Sequence, residues 1–192
     1  MRREASRTRP SCRRPGESAG FSTMEAAAAF SLLGSLLAVA VPTFLREVRA
    51  SRFVEPVQGL AAIAAGAIAY ATTHAGPGTL PLAFPRSVGL TPATPPRARL
   101  AADPVGTWND ATWAALQFPV PASGLAFADG VPHAFSFAFD STPGSARSSF
   151  KAHAHGDLDG DGATSTFEVQ GSDTAADGPV VVPGMYVEAE LE

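Results

Sequence analysis

With 192 residues, 14 Lys and Arg against 18 Asp and Glu, and a formal net charge of −4, the chain has room for one domain plus an appendage. It is too short for an enzyme with separate cofactor and substrate lobes. Eighteen Gly and 17 Pro, with only 17% charged residues, favour turns and strands over a helical bundle. The first twenty residues hold six Arg against two Glu, a net +4 that leaves −8 for the rest; this argues against a nucleic-acid partner, and the lone Cys12 excludes an intrachain disulfide and a cysteine-based zinc site.

From Phe21 to Phe44 the run FSTMEAAAAFSLLGSLLAVAVPTF holds 24 residues and one charge, Glu25, and it follows an Arg-rich stretch ending at Gly20. As a helix rising about 1.5 Å per residue it covers about 36 Å, slightly more than the ~30 Å hydrocarbon layer, so a membrane segment is predicted over 21–44. Arg46, Arg49 and Arg52 follow at once. Positive charge on both flanks leaves orientation undecided by simple counting. The run exceeds the roughly 7 to 15 apolar residues of a cleavable secretory signal. An uncleaved anchor would gain nothing from Glu25, because a carboxylate in lipid is costly and is usually paired.

Gly20 followed by Phe21, Glu25 four residues on, the long apolar run and Pro42 together resemble the amino-terminal region of type IV pilins and pseudopilins. The resemblance implies that a prepilin peptidase cuts between Gly20 and Phe21 at the cytoplasmic face of the inner membrane and that Phe21 becomes N-methylated. It further implies that Glu25 pairs with the terminal amine of a neighbouring subunit in the assembled fibre and that Pro42 kinks the helix. Ser22, Thr23, Met24 and four alanines stand where the family carries larger aliphatics, which offers less side-chain packing in a fibre core. Farther along, YATTHAG, FPRSVGLTP, WNDATWAALQF and GDLDGDGATSTFE resemble successive blocks of pilin-like proteins from delta-proteobacteria and their relatives.

Beyond Phe44 the helix is expected to continue to about Thr73. Phe53, Val57, Leu60, Ala64, Ala67 and Ala71 fall at three- and four-residue steps, a stripe suited to packing on a globular head. Pro56, Gly59 and Gly66 weaken that helix, so tertiary packing must hold it.

Residues 75–107 are rich in Pro, Gly and Thr and read as one long surface loop pinned by Phe84 and Leu90. Asn109 or Asp110 can cap a short helix through Ala115, bracketed by Trp108 and Trp113 and closed by Leu116 and Phe118. Phe135, Phe137 and Phe139 alternate with small residues, a strand with one face committed to the core; Phe150 to His155 repeats the alternation, with Lys151, His153 and His155 on the other face. TFEV and Val180 to Leu191, the latter broken at Pro183-Gly184, supply two more strands. The expected fold is α+β: a long N-terminal helix, half membrane segment and half amphipathic, packed on a small antiparallel sheet, with a leader over 1–20, a membrane and assembly helix over 21–44, its amphipathic continuation over 45–74 and a β-rich head over 75–192.

One segment carries chemistry. Asp157, Asp159, Asp161, Gly162, Ala163, Ser165 and Glu168 satisfy D-x-D-x-D-G-x5-E in every position. As a Ca²⁺ loop, three carboxylates enter at alternate residues, Gly162 takes the sharp turn, the Ala163 carbonyl and a water on Ser165 complete the ring, and Glu168 chelates with both oxygens. The flanks alternate like strands, so no helix pair and no calcium-triggered opening are expected. The alternative is a solvated acidic turn. His153 and His155, with His133 or Asp157, are weaker transition-metal candidates, since two His at i, i+2 on a polar strand face are usually just solvated. No organised nucleophile context exists, so no enzymatic activity is expected.

The reading these features favour is a structural subunit, a pilin or pseudopilin of a type IV pilus or a type II secretion pseudopilus. Its implied partners are the inner membrane, prepilin peptidase and other pilin or pseudopilin subunits. Its implied location is the inner membrane and then the fibre, with the head in the periplasm or outside the cell. The alternative is a membrane-anchored extracytoplasmic Ca²⁺-binding recognition module that does not polymerise.

Overall fold

The computed structural model describes residues 21–74, 84–119, 131–144, 147–174 and 176–189. The expected leader, with Gly20, lies outside the described residues. The chain divides into two compact units, Met1–Thr43 and Phe44–Glu192.

Helix α1 (Thr23–Ala50) contains Pro42 and buries no side chain along its 28 residues. A 3₁₀ turn, Ser51–Phe53, separates it from α2 (Val54–His74). The continuation expected over 45–74 is therefore interrupted, and Pro56 supplies the reason. In an unbroken helix its ring would press on the carbonyl four residues earlier, at Arg52. After the 3₁₀ turn Pro56 falls in the first turn of α2, where no N–H is needed.

The buried face of α2 is Pro56, Gly59, Leu60, Ile63, Ala64, Ala67 and Ala71. Val57, expected on this stripe, is exposed, and Ile63 lies inside instead. Gly66 is required for close approach: a Cβ there would lie 2.0 Å from the Leu116 carbonyl oxygen, so any larger residue would push away the end of α3 (Ala111–Ala115).

Six antiparallel strands form one sheet in the order β1 (Val88–Thr91), β2 (Phe135–Thr142), β3 (Arg147–Gly156), β4 (Ser165–Thr174) and β5 (Gly178–Val181), with β6 (Tyr186–Glu188) also paired to β4. Strand β1 sits inside the stretch expected to be one long loop. The stretch Val180 to Leu191 divides at Pro183-Gly184 into β5 and β6, which share the free edge of β4.

Helix α2 lies on β3, β4 and β5, and the contact matches large residues to small ones. The helix contributes Leu60, Ile63 and three alanines, and the sheet contributes Phe135, Phe137, Phe139, Phe150, Phe167 and Val169 with Ala152 and Ala154 between them. This alternation lets ring and methyl interdigitate. A second aromatic group closes the end of the core, where Phe118 lies 5.4 Å from Trp113 and 5.3 Å from Phe137, centroid to centroid. Its indoles are satisfied: Trp113 Nε1 donates to Thr91 Oγ1 at 3.1 Å and Trp108 Nε1 to Asp103 Oδ2 at 2.8 Å. Asp110 caps α3, its Oδ1 accepting from the Thr112 N–H at 2.7 Å.

Candidate functional site

The first eight residues of the acidic segment, 157–164, form the turn between β3 and β4, and its last four open β4. Gly156 and Ser165 are a register pair at its base, and Gly162 takes a φ of +97°, the left-handed conformation that only glycine adopts at little cost. Each aspartate braces the turn's own backbone. Asp157 Oδ1 accepts from the Gly160 N–H at 2.6 Å, Asp159 Oδ1 from Asp161 at 3.2 Å, and Asp161 Oδ1 from Ala163 at 2.7 Å. These bonds gather the three carboxylates so that one oxygen of each lies within 4.8 Å of the others. Ligand oxygens around Ca²⁺ sit about 2.3 to 2.6 Å from the ion, so a spread of that size fits one shared cation.

The second half of the loop does not join them. A calcium loop normally exits into a helix, where positions three apart share a face. Here the exit is a strand, and residues three apart face opposite ways. Ser165 points inward, buried, its Oγ donating to the Gly156 carbonyl at 3.1 Å. Glu168 points to the other face of the sheet. Its carboxylate takes Lys151 Nζ at 3.1 Å and His153 Nδ1 at 3.4 Å and also accepts from Gln170 Nε2. Burial works against the ionised Glu168, but the bonds from Gln170 and Lys151 and the charges of Lys151 and His153 bring it below its ordinary range.

Two guanidinium groups already face the acidic turn: Arg97 Nε lies 3.5 Å from Asp157 Oδ2 and Arg49 Nη1 3.6 Å from Asp159 Oδ2. The 97–98 segment is clipped on by the Ala98 N–H, which donates to the Asp157 carbonyl at 2.9 Å. His153 and His155 stack in parallel at 6.1 Å, and His153 is divided between Asp140 and Glu168, both at 3.4 Å. His155 is held below the usual histidine range by burial and by the neighbouring His153. They do not converge with His133 or Asp157: His133 belongs to a separate cluster, and Asp157 groups with Asp159 and Asp161.

That separate cluster carries no spacing signal in the sequence. His133 is almost fully buried, with Nδ1 2.8 Å from the Phe135 carbonyl and Nε2 2.7 Å from Asp103 Oδ2. A carbonyl only accepts, so Nδ1 donates there and Nε2 is the nitrogen that faces the Asp103 carboxylate. Next to it, Glu55 on α2 accepts from the Ala134 N–H at 2.9 Å and the Phe135 N–H at 2.8 Å. Burial raises the Glu55 carboxyl above its ordinary value, and the two backbone bonds and the charges of His133 and Arg52 offset part of that. The cluster ties the start of β2 to α2 and is structural in character.

At the other end of the chain, Phe21 is exposed and Glu25 closes a capping box. Ser22 N and Oγ both donate to Glu25 Oε2 at 2.8 Å, and the Glu25 N–H donates back to Ser22 Oγ at 3.2 Å. The S-x-x-E signature of this motif was present in the sequence. Helix α1 with its continuation is the one helix among the described residues long and apolar enough to cross a membrane, and none of its most apolar window is buried. Comparison with protein-family models, curated proteins and solved structures finds no match for this chain.

Proposed function

We propose that the protein is a non-catalytic structural subunit of the pilin or pseudopilin kind, anchored in the inner membrane by α1, cut between Gly20 and Phe21 by a prepilin peptidase, and polymerised through α1. The observation that supports this reading most is the contrast along the N-terminal helices. Twenty-eight consecutive residues of α1 bury no side chain, whereas α2 is built into the head. An apolar surface of that length needs lipid or neighbouring helices around it. Glu25 then has two uses, capping its own helix and pairing with the amine of a neighbour.

The two uses separate experimentally. Glu25→Gln keeps the capping bond but removes the charge; it should be cut and reach the membrane, yet fail to enter filaments. Normal incorporation of Glu25→Gln would sink the pairing. The processing itself is read from intact mass and amino-terminal sequence of membrane-extracted protein, where a chain beginning at methylated Phe21 is expected. An uncut chain would move the assignment to a non-polymerising anchored module.

Within the same reading, the β3–β4 turn holds a structural Ca²⁺ through Asp157, Asp159 and Asp161, with the Ala163 carbonyl and water completing the shell. The cation would neutralise three crowded carboxylates and fasten β3 to β4. With Glu168 committed elsewhere, affinity is expected in the weak range of extracellular modules, about 10⁻⁴ to 10⁻³ M.

A further inference from the structure

Immediately after the apolar run the second unit opens a pocket of about 230 Å³ lined by Leu45, Val48, Arg49, Arg52, Arg99 and Leu158. We propose that it seats the headgroup phosphate of an anionic phospholipid from the membrane in which α1 is anchored, with Arg52 and Arg99 as the anion ligands and the three aliphatic side chains against the glycerol and first acyl carbons. The inference rests on the membrane-anchored reading above.

The lining fits an amphiphile on both counts. Three guanidinium groups converge with three aliphatic side chains, and the planar fork of Arg matches phosphate oxygens better than a point charge does. Leu45 and Val48 are 48% and 37% exposed, so this apolar lining is left open by the protein itself. Two opposing carboxylates are accounted for. Asp159, also in the lining, is paired with Arg49 at 3.6 Å, and Glu55, whose charge Arg52 feels, is committed to the backbone of Ala134 and Phe135. Arg52 and Arg99 make no salt bridge among the described residues. Continuity along the chain selects lipid over other phosphates: Leu45 directly follows the run that ends at Phe44, so a headgroup and this pocket are brought together by the anchor itself.

The test uses the full chain in detergent micelles doped with equal amounts of phosphatidylglycerol and phosphatidylcholine, with retained lipid identified by native mass spectrometry. The parent should prefer phosphatidylglycerol by about tenfold or more, as expected for two basic side chains near an anionic headgroup. Arg52→Gln/Arg99→Gln should lose that preference. The charge-matched control Arg86→Gln/Arg147→Gln should keep it. Equal retention of the two lipids by the parent, equal loss in the control, or displacement of the lipid by millimolar inorganic phosphate would each overturn the proposal. Flotation with phosphatidylcholine vesicles separates its failure from that of the anchor: a chain that does not float sinks the membrane reading, and one that floats without headgroup preference sinks only the pocket.

Discussion

Two consecutive helical stretches, both apolar, meet opposite environments in this protein. Helix α1 has no fully buried residue, whereas α2, broken off by three residues of 3₁₀ turn, buries seven. Hydrophobicity alone does not decide between them. The difference lies in shape: α2 offers a narrow face of glycine, alanine, leucine and isoleucine that fits between the phenylalanines of β2, β3 and β4. The aliphatics of α1, Leu32, Leu33, Leu36, Leu37, Val39 and Val41 among them, are distributed around the whole helix and all exposed. A stripe suits a sheet, and an all-round apolar surface suits lipid or like helices.

That comparison is broken most directly by matched truncations. Leu60→Ala, at a side chain with no exposure, should destabilise the head by about 2 to 5 kcal/mol, while Leu36→Ala should leave its unfolding within about 0.5 kcal/mol. Trp108 and Trp113 both lie in the head core, so tryptophan fluorescence of the full chain during thermal unfolding reads both variants. Equal losses would mean that α1 is part of the same packed unit after all. The polar cluster beside the start of β2 should be nearly as sensitive. Asp103→Ala removes the partner of His133 Nε2 and the acceptor of Trp108 Nε1, and an expected loss of about 3 kcal/mol follows from taking this carboxylate away from two buried ring nitrogens. A change under about 1 kcal/mol would show that water replaces the carboxylate there.

The two halves of the acidic turn make a second comparison of the same kind. If three aspartates suffice for Ca²⁺, adding about ten times the dissociation constant should stabilise the head by roughly 1.4 kcal/mol, a rise in Tm of a few degrees. Asp159→Asn should abolish that rise and Glu168→Gln should leave it intact. No rise in the parent would make the segment a braced acidic turn and nothing more, and loss in Glu168→Gln would mean that the strand exit rearranges to deliver the twelfth position.

How far these features could be read from the sequence depends on how local they are. The apolar run of α1 and the alternating phenylalanines of β2 are local, and both were legible. So were the three aspartates, because bonds from side chain i to backbone i+2 or i+3 need only a turn. The inner face of α2 was half legible. At about 100° per residue Val57 falls at the edge of the buried face of α2 and Ile63 well within it, so a stripe stepped from Phe53, which belongs to the 3₁₀ turn, took in Val57 and missed Ile63. The partners of Glu168 were not legible, because the register that sets His153 opposite it exists only once β3 and β4 pair. Strand β1 was hidden by the prolines around it. The partners of His133 and of the Ala134 N–H lie 30 and 79 residues away, a separation no motif spans.

Glu55 offers the smallest effect and the sharpest sign. Burial raises its folded-state value above the ordinary 4.5, so its contribution to stability is fully present below pH 4.5 and is lost as pH rises through the folded value, where the carboxyl must ionise against its apolar surroundings. Glu55→Gln does not titrate. The stability gap between variant and parent should therefore move in the variant's favour from about pH 4.5 upward, by less than about 1.4 kcal/mol per pH unit, and then level off. Denaturant unfolding of the full chain at intervals between pH 4 and 7, followed by tryptophan fluorescence, measures the gap. His133 and Arg52, whose charges act on the Glu55 carboxyl, are present in both proteins, so the difference isolates Glu55. A gap that stays constant, or that moves towards the parent, would mean that the N–H groups of Ala134 and Phe135 stabilise the anion more than burial penalises it. The tie between α2 and β2 would then tighten, rather than loosen, as the carboxyl ionises.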